Sequence, residues 1–338
     1  MQDLSSGDYR ERKRRQIVDA LARRGITGPP LDEIIEVPPC SRRRATLKVQ
    51  HVGGDVRIGF HASRSHELVD IRECLVLTPG LFRLTQALRE VFAGILHQGE
   101  TADLHFLEAE NGYDLSISWS QRATPETIAR IAAIAPKLNL VRVTGGDALL
   151  YQSARPEVRF GKAWVKVPPG AFLQPTREGE GALQASVVEA MGKAKKIADL
   201  FSGCGTFALP LAERAHIHAV DADAPMLQAL AAGARSTSGL KPFSTERRDL
   251  FRRPLTPVEL NRFEAIVLDP PRAGAVAQVK NLSQSRVPRI AYVSCDAASF
   301  ARDARILIDG GFRLASLVAV DQFLWSAHIE LAAAFARD

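Results

Sequence analysis

Residues 166–338 are predicted to form a doubly wound, Rossmann-like α/β sheet, and residues 1–165 an α+β unit in front of it. Three observations carry this expectation. Beyond Lys195, short apolar runs alternate with segments of helical period, the pattern of a parallel sheet with helices on its faces. Before Pro168 the runs alternate residue by residue and pair across glycine turns, as antiparallel hairpins do. One texture gives way to the other at Pro168-Pro169-Gly170, and 338 residues are enough for two cores.

Composition narrows the class. An apolar share of 46% and a charged share of 24% fit an ordinary globular protein, and no apolar run approaches the roughly 18 residues of a membrane helix. The start, Met1 to Gln16, is too polar for a signal peptide, and four scattered cysteines without paired spacing predict a reducing compartment, the cytoplasm. The net charge of +6 and pI near 9.3 gather at Arg10 to Arg15, Arg23-Arg24 and Arg42-Arg43-Arg44. Such runs favour a polyanion such as RNA, because each phosphate contact releases counterions. Solvated faces are the alternative reading.

Element by element, Ser5 to Arg24 has helical spacing, with Ser6 or Asp8 as cap and Ile17, Val18 and Leu21 on the apolar face. Residues 45–50 and 56–60 alternate across Gly53-Gly54, a hairpin with arginine and lysine on its polar face. A helix is expected over 81–96, then a second hairpin, 102–107 with 113–119, across Asn111-Gly112. Thr124-Pro125 start another helix, and strands follow near 140–143 and 163–167. In the second half, helices over 180–192, 207–214, 225–235 and 297–307 alternate with strands at 195–201, 217–220, 265–268 and 289–294. Residues 315–320 and 329–336 read as a closing antiparallel pair.

Cys295 ends one of these strands, next to a helix N-terminus. The helix dipole and unpaired N–H groups there lend a thiol thiolate character, at the sheet edge where ligands bind, so Cys295 is a candidate nucleophile. A small buried cysteine is the bland alternative. Gly203-x-Gly205 follows a strand, opens a helix and precedes a strand-end acid, Asp221, which can accept the hydroxyls of a ribose. A third glycine is missing, since position 208 is Ala208, so S-adenosylmethionine fits better than a nicotinamide dinucleotide; Cys204 inside the loop reads as packing. Asp249 stands where a third strand should end and is either an adenine contact or a solvated loop acid. In Asp269-Pro270-Pro271-Arg272-Ala273-Gly274 two prolines fix a donor-poor loop with Asp269 and Arg272 as polar contacts. Glu330 lies among apolar residues at a loop-to-strand junction, where burial raises a carboxyl pKa towards that of a useful base. A capping or salt-bridged glutamate is the other reading.

Together, Phe172-Leu173-Gln174, the run Asp199 to Phe207, Asp269 to Gly274, Val293-Ser294-Cys295-Asp296 and His328-x-Glu330 resemble the RNA 5-methyluridine (uracil-C5) methyltransferases, in the family's order throughout 170–338. Upstream, Arg42-Arg43-Arg44-Ala45-x-Leu47 and Ser65-His66-Glu67 through Cys74 resemble its central domain. The resemblance implies a class I methyltransferase domain, Cys295 as nucleophile and Glu330 as base. It implies that Gln174, Phe201, Ser202, Gly203, Gly205, Asp221 and Asp249 line the S-adenosylmethionine site, with Asp269 near both cofactor and base. Arg42, Arg43, Arg44, Arg272 and Phe323, with Trp325 as another aromatic, are expected on the side of a structured RNA. Ribosomal RNA is favoured over transfer RNA, and a monomer is expected.

Two departures stand out. Asp296-Ala297 replaces the asparagine and proline usual after the cysteine, and a carboxylate there is expected to raise the thiol pKa. Many relatives also begin with a small RNA-binding β-barrel and an iron–sulfur cysteine cluster. Cys74 resembles the fourth ligand of that cluster, but Cys40 is the only other cysteine in the first unit, so a four-cysteine centre is not expected. Because Met1-Gln2-Asp3-Leu4 resembles the segment after the cluster, the chain is expected either to start at an internal methionine of a longer protein or to have lost the module. Two rivals stay open: an RNA N-methyltransferase of the same fold, and an RNA-binding protein that has lost catalysis.

Overall fold

The computed structural model describes residues 4–61, 67–120 and 123–337. It divides into two compact units: Met1–Val37 with Phe160–Val165 and Glu178–Asp338, and Pro38–Arg159 with Lys166–Arg177. The N-terminal segment therefore folds with the C-terminal sheet, which differs from the expected boundary at 165/166. The reason is apolar. Ile17, Leu21, Ile26 and Leu31 are buried in one core with Ile290, Phe300 and Leu317, and Ile35–Glu36 adds a parallel strand against Val320 and Asp321. A strand of two residues leaves no period in a sequence. The first helix, Ser6–Ala22, is capped by Ser5, whose Oγ accepts the Asp8 N–H at 3.2 Å, rather than by Ser6 or Asp8.

The other unit is a seven-stranded sheet in the order 68–70, 55–61, 44–52, 101–109, 112–118, 140–145, 148–152. Both expected hairpins are present, with one shift: Gly112 opens its strand instead of making the turn. At φ +141°, a Cβ on Gly112 would lie 2.6 Å from Val141, so only glycine fits. Helices Pro79–Ala93 and Pro125–Ile134 start at Thr78 and Thr124, whose hydroxyls accept backbone N–H groups, with proline in the first turn. They bury Leu84, Leu88, Phe92 and Ile131 against Leu47, Ile58, Leu104 and Ile117.

The C-terminal sheet has eight strands in the order 35–36, 313–321, 330–336, 289–294, 265–268, 196–200, 216–221, 243–247. Lys196–Leu200 pairs in parallel with His216–Asp221 on one side and Ala265–Leu268 on the other, which makes it the point where the winding reverses. Glu330–Ala336 runs antiparallel between Arg289–Ser294 and Arg313–Asp321, the closing pair expected from the sequence. Its first residue consequently shares an edge with the last residues of the parallel strands. No helix among the described residues is long and apolar enough to cross a membrane.

Candidate active site

Ligands of doubly wound sheets bind outside the carboxyl ends of the strands, at the reversal. In this unit that edge holds Phe201 to Gly205, Asp221, Asp269, Cys295 and Glu330. The glycine loop is held by its own backbone. Phe201 and Ser202 both donate to the Val220 carbonyl, and Gly203 N–H donates to Asp221 Oδ2 at 2.8 Å. Phe201, Gly203 and Gly205 adopt φ of +63°, +51° and +99°. For Phe201 that conformation costs about 1 kcal/mol or more. A Cβ on Gly205 would lie 2.3 Å from Leu230. Cys204 is buried behind the loop and its thiol is pushed up to about 12, mainly by burial, which fits packing and not reactivity.

Three carboxyl groups converge beneath this loop. Asp199, fully buried, has neither oxygen in a hydrogen bond of ordinary geometry, and Ser202 Oγ is likewise buried without a partner. Burial and the charges of Asp269 and Asp221 push Asp199 well up, against only the backbone N–H of Ala208. Asp269 rises to about 7, first by burial and then by the charge of Asp221. Unsatisfied acids at a sheet edge are costly unless a cation or donor comes to them. Asp199 lay in plain sight in the sequence motif, but its alternating position on a buried strand marks it as core, and only its missing partners single it out.

Cys295 and Glu330 meet across the strand register. Ser294 pairs with Leu331 and Glu330 with Val320, so the residue after one strand faces the first residue of its neighbour. Glu330 is 3% exposed. The Cys295 thiol is pushed up to about 11, by burial first and then by the charges of Glu330 and Asp269, which outweigh the backbone N–H that favours a thiolate. Asp296 caps Ala297–Asp309, its Oδ1 accepting the N–H groups of Ala298 (3.1 Å) and Ser299 (2.9 Å). Its other oxygen faces Arg272 Nε at 3.3 Å. These contacts hold Asp296 below the usual carboxylate range, and its own charge is the smallest of the influences raising the thiol.

The proline loop is fastened from below by a residue that sequence reading missed. Asp303, fully buried, accepts the Ala275 N–H (2.7 Å) and the Tyr292 hydroxyl (2.7 Å) on Oδ2 and pairs through Oδ1 with Arg302. One carboxylate thus ties the loop, the cysteine strand and the following helix together. Gly274, at φ +74°, lets the backbone pass Asp303 Oδ2, from which a Cβ would stand 2.6 Å. In sequence Asp303 is one more polar residue on a helix, with no spacing to mark it.

Asp249 sits two residues past its strand and uses Oδ1 on the N–H groups of Phe251 and Arg252. Phe251 brings its ring to 5.3 Å from that of Phe201. Phe323 is half-buried, edge-on to His328 at 5.8 Å, and Arg272 is exposed. Gln174 belongs to the other unit, where its carbonyl accepts from Arg43 Nε at 3.2 Å. Arg43 is 2% exposed, Arg42 Nε binds the Arg44 carbonyl, and Arg44 stacks on Phe172 at 4.2 Å. Arg43 is therefore internal, contrary to the RNA-facing place expected of it, while Arg42 and Arg44 are half-buried. In the same unit Cys74 Sγ accepts the Leu77 N–H at 3.4 Å. Ser65 and His66 of the central-domain pattern, and Met1 to Asp3, lie outside the described residues.

A solved structure, the tRNA (uracil-54, C5)-methyltransferase of Pyrococcus abyssi in complex with S-adenosyl-L-homocysteine, has the same fold, with a TM-score of 0.74 over 99% of this chain and 84% of that one at 20% identity. The fold is that of the class I methyltransferases. The tRNA (uracil-5-)-methyltransferase family model matches residues 235–337. An uncharacterized RNA methyltransferase of Rhizobium meliloti is 38% identical over 98% of this chain and 80% of its own length, and the 23S rRNA (uracil(1939)-C(5))-methyltransferase RlmD of Chromohalobacter salexigens is 30% identical over 100% and 74%. The chain belongs to the RNA (uracil-C5)-methyltransferase family.

Proposed function

We propose that the protein methylates carbon 5 of a uridine in structured RNA, with S-adenosylmethionine as donor and a covalent Cys295–uracil adduct that Glu330 resolves. The observation that carries this reading is the strand register that sets Glu330 beside Cys295 at an edge already holding Asp269. Ribosomal RNA is the favoured substrate, supported by the likeness to the 23S rRNA enzyme, and the cytoplasm is the site of action.

The residues present fit the donor. Its sulfonium and ammonium charges are what the orphaned oxygens of Asp199 and the raised carboxyl of Asp269 lack, and Ser202 Oγ has a hydrogen bond to give. Asp221 already turns a carboxylate to the loop and can accept ribose hydroxyls, and Phe201 with Phe251 offers an aromatic wall to adenine. When bound, S-adenosylmethionine supplies an electrophilic methyl group; the rest of the chemistry falls to the chain.

Carbon 5 of uracil is a poor nucleophile. Addition of the Cys295 thiolate to carbon 6 pushes the ring's electron pair onto carbon 5 and its conjugated carbonyl, and carbon 5 then takes the methyl group. The adduct still carries a proton on carbon 5. The Glu330 carboxylate takes it, the C–H electrons form the C5=C6 bond, and the C6–Sγ bond breaks to return Cys295 as thiolate. A thiol near 11 is mostly protonated at neutral pH, so kcat/KM rises with pH. Asp269, at about 7, is the nearby group poised to take the thiol proton. A base attacked on both faces must leave its stack, and in this reading Phe323 would stack on it and Arg272 would meet its phosphate.

The reading is tested with RNA tritiated at carbon 5 of its uridines. One tritium should reach water for every methyl group incorporated; methylation without tritium release points to a nitrogen target and removes the proposal.

A further inference from the structure

Three residues on one side of the first helix, Tyr9, Lys13 and Gln16, reach the loop that ends in Glu330. Lys13, 1% exposed, places Nζ 2.9 Å from Asp321 Oδ1 and 2.5 Å from the His328 carbonyl. The Tyr9 hydroxyl donates to Asp321 Oδ2 and accepts the Trp325 N–H at 2.9 Å. Gln16 Nε2 donates to the Ala327 carbonyl at 2.8 Å. The helix thus grips the segment 321–329 at its first residue, at its middle and just before Glu330. Trp325, at φ +58°, is the strained point of that segment, and its N–H is the one Tyr9 holds.

Stability alone does not account for this cluster. Burying a lysine and an aspartate costs desolvation that their attraction barely offsets, and an apolar pair of the same volume serves a core at least as well. Below Lys13 the same helix face is apolar, with Ile17 and Leu21 buried, so the polar pair occurs where the helix meets the segment ahead of Glu330. A buried ion pair with further hydrogen bonds is directional where apolar packing is not.

We infer that Tyr9 and Lys13 are positioning residues: the N-terminal helix fixes the 321–329 segment and so aims Glu330 at the proton of the methylated adduct. The inference rests on the role of Glu330 given above. It assigns the helix to the release step and leaves methyl transfer untouched.

The test is single-turnover methylation by Tyr9→Phe, a change of one hydroxyl, with wild type and Glu330→Gln alongside. Methylated RNA–protein adduct is counted on denaturing gels against time, and hydrogen exchange is followed over 322–329. Tyr9→Phe should form adduct at the wild-type rate, release it roughly 10- to 100-fold more slowly, and exchange faster over the segment. Equal slowing of both steps, or release at the wild-type rate, overturns the inference while Glu330→Gln still traps adduct. If Glu330→Gln traps none, the role of Glu330 falls and the inference with it. Should Tyr9→Phe fail to fold, exposed Gln16→Ala is read by the same criteria, with release slowed about 2- to 5-fold.

Discussion

The N-terminal sheet and the carboxyl edge of the C-terminal sheet treat their charges in opposite ways. In the N-terminal unit they are matched: Asp114 takes Arg142 on both oxygens, Asp70 takes Arg89, and Arg43 ends on a carbonyl. At the carboxyl edge of the C-terminal sheet, Asp199, Asp221 and Asp269 face one another and Ser202 has no partner. Matched charge holds a fold together; unmatched charge at a sheet edge awaits a ligand.

Breaking a matched pair should cost the most stability. Arg142→Ala leaves Asp114 buried and uncompensated, and denaturant unfolding should show a loss of about 3–5 kcal/mol. Asp303→Ala should cost a similar amount, and it should also slow methylation because the loop 269–275 loses its anchor.

Relieving an unmatched charge should do the reverse. Asp269 is raised to about 7 in the folded chain, so below its unfolded value the folded form loses nothing, and stability falls as pH climbs from about 4 through about 7. Asp269→Asn should therefore gain about 1–3 kcal/mol at pH 8 and little at pH 4, with methyl transfer nearly abolished. A loss of stability at pH 8 contradicts the contrast.

Smaller effects sharpen it. Arg43→Ala should lower stability by about 1–3 kcal/mol and leave the salt dependence of RNA binding unchanged. Arg272→Ala should flatten that dependence by about one counterion. Asp296→Asn keeps the helix cap and removes one weak influence on the thiol, so kcat/KM should change less than about threefold.

Much of the C-terminal unit was legible because each feature there repeats a local rule: a strand, a loop of special residues, a helix. Cys295, Glu330, Asp221 and Asp269 each end or begin a strand, and alternation along the chain is enough to place them on one edge. What stayed hidden depends on pairing between distant residues. Asp303, Lys13 and Asp321 act through partners up to 315 positions away, and nothing in their neighbourhoods announces it. Arg43 misled for the same reason, since the Gln174 carbonyl it binds is 131 positions away. Asp296 raises the thiol as its position predicts, but least of the influences there, and its own oxygens are occupied by Arg272 and two backbone N–H groups.

The central claim is that Cys295 and Glu330 share one reaction, the thiol opening it and the carboxylate closing it. The most direct measurement is mass spectrometry of protease- and nuclease-digested Glu330→Gln after reaction with unmodified ribosomal RNA and S-adenosylmethionine. A methylated uridine fragment attached to the Cys295 peptide, absent from Cys295→Ala, is the predicted result. Methylated RNA from Cys295→Ala, or a fragment on any other residue, would contradict it.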